Sequence, residues 1–174
     1  MNYTWILLMA TASFTIGCGG NEQKAAPGTT GAAEETKTEE VAESASDEPK
    51  QEVAIELGSN DQMQYDKKEL RVPANSTVTL TLKHNGQMPK SAMGHNFVLL
   101  KQGTDIAAFG MKAIEAGIDK EHIPDSDAII AYTGLIGGGE QTTVTFDAPA
   151  PGTYDYICSF PGHYGMMNGK LIVE

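Results

Sequence analysis

Apolar positions divide the chain into three textures. Residues 5–16, WILLMATASFTI, are an apolar run without charge. Residues 19–50 contain one aliphatic side chain larger than alanine, Val41, and no aromatic. From residue 51 onward, apolar and polar residues alternate in short runs: VAIEL (53–57), STVTLTLK (76–83), NFVLL (96–100), AIIAY (128–132), QTTVTF (141–146), TYDYIC (153–158) and KLIVE (170–174). These runs are rich in β-branched and aromatic residues, and PAN, HNGQ, GGGE and APAPG punctuate them. Short alternating segments separated by turn residues predict an all-β domain, a Greek-key sandwich or barrel. One segment leaves the two-residue period. DIAAFGMKAIEAGI (105–118) places Ile106, Phe109, Ala113, Ile114 and Ala116 at helical spacing, which predicts one short helix inserted between strands.

The first texture is too short to span a bilayer, which takes about 20 residues, and has the size of a signal-peptide core. TIGCGG follows it, so a small residue, Gly17, precedes Cys18. This resembles the lipobox of bacterial lipoproteins, which implies cleavage after residue 17 and acylation of Cys18. Thr15 stands where that family prefers leucine, and residues 1–4 carry no Lys or Arg. An uncleaved membrane anchor and a plain secreted product are the other readings. The expected organisation is a signal peptide at 1–17, an acylated cysteine with an acidic linker at 18–50, and a globular domain at 51–174. The product is exported and held at the periplasm or cell envelope by a membrane lipid.

Charge sharpens the division. The net charge of −11 splits into −5 for residues 19–50 and −6 for the domain. The linker is too polar to bury a core, and it reads as a flexible spacer. Its 32 residues span roughly 30 Å as a random coil. An acidic domain is a poor nucleic-acid binder, because that role needs a basic face.

The candidate chemistry lies in CSFPGHYGMMNG (158–169). An acylated Cys18 forms no disulfide, which leaves Cys158 as the one free thiol. In an exported protein such a thiol is a liability unless something occupies it. Cys158 and His163 are separated by four residues at the end of a predicted strand, and His95 opens another strand. Taken singly, a buried cysteine, a loop histidine and a methionine pair have plain structural readings. Together, a thiolate, two imidazoles and a weak thioether make the donor set of a blue-copper electron-transfer site. Strand alternation counted back from Leu171 puts Gly169 and Met167 on one face and Lys170, Asn168 and Met166 on the other. Met167 is thereby the first choice for the thioether, with Met166 in reserve.

Several segments together resemble azurin, a bacterial cupredoxin: GSNDQMQYD (58–66), MPKSAMGHNFVLL (88–100), LIGGGE (135–140), VTFDAP (144–149) and CSFPGHYGMM (158–167). The resemblance runs over about residues 52–174. It implies one copper ion, Cu(I) or Cu(II), held by His95, Cys158 and His163, with Met167 as axial ligand and the Gly94 carbonyl as a weak ligand opposite. It implies that Asn96 ties the two ligand loops together and hydrogen-bonds toward the sulfur. His84 matches a buried histidine near the site that is not a ligand. Three departures stand out: no cysteines are available for azurin's disulfide, Phe97 replaces a common Trp, and Ile157 replaces a common Phe.

The resemblance also implies a docking patch around His163: Met63, Met88, Ala92, Met93, Phe160, Pro161, Gly162, Gly165 and Met166. Methionine-rich apolar surfaces suit brief encounters. The implied partners are c-type cytochromes, or reductases or peroxidases that accept electrons, with the protein itself a monomer. The expected role is an electron carrier and not an enzyme. A copper chaperone or buffer is the alternative. An oxidase or nitrite reductase would need a second copper centre, and no His-x-His pair is present to build one.

Overall fold

The computed structural model describes residues 49–174. The readings placed on the export signal, on Cys18 and on nearly all of the linker lie outside the described residues. The described chain forms two sheets. One has the order β2-β1-β4-β7, built from β1 (Gln51–Asn60), β2 (Gln64–Tyr65), β4 (Ser76–His84) and β7 (Gln141–Asp147). The other has the order β3-β9-β8-β5-β6, built from β3 (Glu69–Val72), β9 (Asn168–Val173), β8 (Gly152–Ile157), β5 (Val98–Leu100) and β6 (Ile129–Tyr132). Most neighbours run antiparallel, but β1 pairs with β4 and β3 with β9 in parallel. The expected all-β sandwich with an inserted helix is what forms.

Strand β4 shows how the sequence produces this. Ser76, Val78, Leu80, Leu82 and His84 are buried, and the residues between them are half-exposed. A strict alternation of this kind lets one sheet face the core and the other face water. Val78, Leu80 and Leu82 join Leu57, Phe97, Leu99, Tyr156, Cys158, Met167 and Leu171 in one apolar cluster between the sheets. Each fully buried leucine there contributes about 1.5–3 kcal/mol.

Strand β5 breaks the alternation, since Val98, Leu99 and Leu100 are all buried. Leu99 belongs to the main cluster. Val98 and Leu100 pack with Ile157 against Phe109 and Ala113 of the helix α2 (Ile106–Ala116). The helix thus covers the outer face of the second sheet, and a strand covered on both faces reads as an unbroken apolar run. Asp105 caps α2, its Oδ1 accepting from the amides of Ala107 and Ala108 at 2.9 and 3.0 Å. Gly117, at φ +74°, ends it. Ile114, one of the residues at helical spacing, is 43% exposed.

The structure also adds elements. Strands β2 and β3, and a single-turn helix α1 (Lys90–Met93), were not foreseen. In QY and ELRV the alternation is too brief to register, and the pairing partners supply the order. Gly169 of β9 is required by packing, because a β-carbon there would lie 2.2 Å from the ring and hydroxyl of Tyr156.

Candidate metal centre

Three loops at one end of the sandwich converge. The first follows β1, the second joins α1 to β5, and the third joins β8 to β9. His95 is pinned within the second loop, exchanging two backbone hydrogen bonds of 2.9 Å with Ile136. Its ring is fixed as well, since Nε2 donates to the Asn60 carbonyl at 2.9 Å. That bond leaves Nδ1 as the acceptor nitrogen, 3.9 Å from the Cys158 sulfur. Cys158 follows the inward-facing Tyr156 by two residues, so strand alternation carries its thiol to the core side.

His163 comes from the turn that begins at Cys158. Its amide donates to the Phe160 carbonyl at 3.0 Å, and its own carbonyl accepts the amides of Met166 and Met167 at 3.0 and 2.7 Å. The turn places His163 Nδ1 3.6 Å from the sulfur. The donor atoms of His95, Cys158 and His163 all lie within 4.8 Å of one another, and the three side chains are buried. Metal–sulfur and metal–nitrogen bonds of about 2.0–2.3 Å at trigonal angles put neighbouring donors about 3.5–4 Å apart. The observed separations fit one ion bound by all three.

Burial sets the protonation of the donors in the metal-free protein. It holds the imidazoles of His95 and His163 down at about 4, so both present lone pairs at neutral pH. It pushes the Cys158 thiol up to about 12, against opposing hydrogen bonds from the backbones of Asn96 and Phe160. Those two amides are built to favour the thiolate once a cation is present.

The other expected site residues fall as follows. Met167 is fully buried in the core cluster that holds Cys158, and its carbonyl accepts the Cys158 amide at 2.9 Å. Met166 is 54% exposed. The buried Gly94 carbonyl lies 3.8 Å from the sulfur. No side chain fits at residue 94, because a β-carbon would meet the Lys90 carbonyl at 2.6 Å and Leu135 at 2.7 Å. The Asn96 side chain links two loops: Oδ1 accepts the Ser159 amide, and Nδ2 donates to Ser159 Oγ and the Glu121 carbonyl. Its backbone, and not its side chain, addresses the sulfur.

His84 stacks on His95, with ring centroids 4.3 Å apart and planes at 28°. Its Nδ1 accepts the Gly86 amide at 3.0 Å and its Nε2 donates to the Met93 carbonyl at 3.1 Å. Both ring nitrogens are thereby used, which leaves His84 a packing partner of the site. Met88, Ala92, Gly162, Gly165 and Met166 are exposed, and Met63, Met93, Phe160 and Pro161 are half-exposed. Phe160 rests on His163, ring centroids 4.7 Å apart, and meets His122 edge-on at 5.3 Å.

Sequence reasoning missed the residues that brace the donors. Asn60 holds His95. Asp61 accepts the amides of Gln87 and Met88 at 2.8 and 3.2 Å, and the Gln87 bond foremost keeps its carboxyl below the usual range. Tyr65 donates its hydroxyl to the Asn96 carbonyl. Only the Asn-Asp pair in SND carried a signal, since such residues cap turns.

Residues 51–174 match the family described as copper binding proteins, plastocyanin/azurin family. Azurin-1 of Alcaligenes xylosoxydans xylosoxydans is 43% identical over 125 residues, covering 69% of this chain and 96% of the relative. Azurin of Pseudomonas chlororaphis is 40% identical over 128 residues, covering 71% and 99%. Among solved structures, auracyanin A, a blue copper protein of Chloroflexus aurantiacus, superposes with a TM-score of 0.66 at 41% identity, covering 71% of this chain and 99% of its own. The azurin Az-iso2 of Methylomonas sp. strain J gives 0.65 at 38% identity, covering 70% and 98%.

Proposed function

This chain belongs to the plastocyanin/azurin family of copper-binding proteins, and on that premise we propose that it is a blue-copper electron carrier with His95, Cys158 and His163 as equatorial ligands. With copper bound, Met167 would supply a thioether and the Gly94 carbonyl a further weak contact. The carrying observation is the convergence of one buried thiol and two buried imidazoles within 4.8 Å. Copper supplies a one-electron couple when bound.

The protein's part is to hold the donors still. The Asn60 carbonyl fixes the His95 ring, the Asn96–Ser159 bonds lock the loops, and the Met167 backbone ties Cys158 to His163. Donors that move little between oxidation states keep the reorganisation small, and transfer is then fast. Burial of all three favours retention of the ion over hand-over, which weighs against a copper chaperone or buffer. Electrons pass through the apolar surface around Phe160 and Met166, near His163. That surface suits short encounters with c-type cytochromes, or with reductases or peroxidases. Residues 1–18 support export to the periplasm or cell envelope with a lipid tether at Cys18.

The deciding test is to add Cu(II) to the protein and record its visible spectrum. An intense blue thiolate-to-copper band, lost in Cys158→Ser, is expected. A colourless protein, or a colour that survives the substitution, defeats the proposal.

A further inference from the structure

The two ligand histidines are held unequally. His95 has its far nitrogen bonded to a carbonyl, whereas the outer nitrogen of His163 has no protein partner among the described residues. A ligand imidazole normally has its orientation fixed through that second nitrogen. The orientation of His163 must therefore come from packing and from its turn. Phe160 supplies one contact.

Tyr164 supplies a second constraint. Its carbonyl accepts from Asn168 Nδ2 at 2.9 Å, which ties it to the start of β9. Its ring lies against α2 at Gly110. A β-carbon at Gly110 would stand 2.4 Å from Cε1, 2.5 Å from Cδ1 and 2.9 Å from Cζ of that ring. One side of the ring thus rests in a notch that only glycine leaves open. Gly110 is buried in the middle of an eleven-residue helix, a position where intrinsic preference favours alanine. Turn structure does not explain the glycine either, since no left-handed φ is recorded there.

We propose that Tyr164 and Gly110 form a knob and notch that fixes the ligand turn against α2, making Tyr164 a positioning residue for His163. The proposal rests on His163 being a copper ligand. It deepens that reading by giving the inserted helix a part in the metal site, through a contact between residues far apart in sequence. Close-packed contacts transmit displacements because little free volume absorbs them. A ring displaced from the notch either turns about its own side-chain torsions or carries the adjacent His163 backbone with it, and the copper spectra tell the two apart.

The experiment compares Gly110→Ala, Tyr164→Ala, the double variant and Tyr164→Phe. Melting is measured on metal-free protein, and EPR and visible spectra on the copper form. Helix preference alone makes Gly110→Ala stabilising. The notch makes it destabilising, with a shifted copper hyperfine pattern and electron self-exchange slowed several-fold. In the Tyr164→Ala background the same substitution reverses sign and becomes stabilising. Tyr164→Ala alone alters the EPR spectrum, and Tyr164→Phe, which keeps the ring, matches wild type. The notch is refuted if Gly110→Ala raises the melting temperature with Tyr164 in place. A lowered melting temperature with an unchanged EPR spectrum, or Tyr164→Ala with a wild-type spectrum, refutes the positioning role. A wild-type protein without a blue band overturns the ligand reading and the positioning role with it. The sign reversal in metal-free protein still decides the notch in that case.

Discussion

Asn96 and Ser159 hold each other by two hydrogen bonds across the two ligand loops. The Ser159 amide donates to Asn96 Oδ1 at 2.9 Å, and Asn96 Nδ2 donates to Ser159 Oγ at 2.8 Å. Each residue is adjacent to a proposed copper ligand, so the pair sets the distance between His95 and Cys158. Asn96→Ala strands a buried amide, which costs about 1–3 kcal/mol. The expected result is a lower denaturation midpoint and faster loss of copper to a chelator. Retention kinetics equal to wild type would count against this role.

Acid should weaken the metal-free protein. His95 and His163 sit at about 4 when folded, below the ordinary value of 6.5. Between these values the unfolded chain binds more protons, so stability falls as pH falls. The contribution is complete above about 6.5 and lost as pH drops toward 4. Thermal melts of metal-free protein at pH 7, 5.5 and 4.5 should show a falling midpoint. A flat profile over that window would contradict the buried, neutral histidines.

Copper uptake at pH 7 should release one proton per ion. The Cys158 thiol stands at about 12 and must lose its proton to bind. The two histidines, at about 4, have none to give. Titration calorimetry in buffers of different ionisation enthalpy measures this number directly. A value near zero would mean that the thiol does not ligate.

Met93→Lys tests the docking surface. Met93 is half-exposed and its carbonyl only accepts from His84, so its side chain is free to change without disturbing a ligand. A charge there must be desolvated in any apolar encounter. Electron exchange with a partner cytochrome should slow several-fold while the copper spectrum stays as it was. An unchanged rate would remove Met93 from the docking surface.

Much of this molecule was legible from local pattern. The alternation in STVTLTLK maps directly onto β4, and the helical spacing within residues 105–118 maps onto α2. The thiol, one imidazole and both methionines share a single turn, so their grouping showed in ten residues. What stayed hidden depends on distant partners. Asn60 braces His95 through a backbone carbonyl, which carries no side-chain signature. Ile157 stands where Phe is common, and its packing against α2 with Val98 and Leu100 shows only in the fold. Ile114 sits at helical spacing but on the open side of α2. Periodicity shows that a helix has an apolar stripe, and only the fold shows how wide a stripe it covers.

The parallel ladder between β3 and β9 joins Glu69 to Lys170 and Val72 to Val173, so its two halves are separated by nearly the whole domain. Pairings this distant in sequence close late and slowly. Three of the four proposed ligands also lie in the last stretch, at Cys158, His163 and Met167. A chain that stops short of residue 158 offers copper at most one imidazole of the set and lacks the Cys158 thiol. The order of residues along the chain thereby couples two events: the capacity to capture the ion and the means to close the second sheet reside in the same short stretch, residues 158–173.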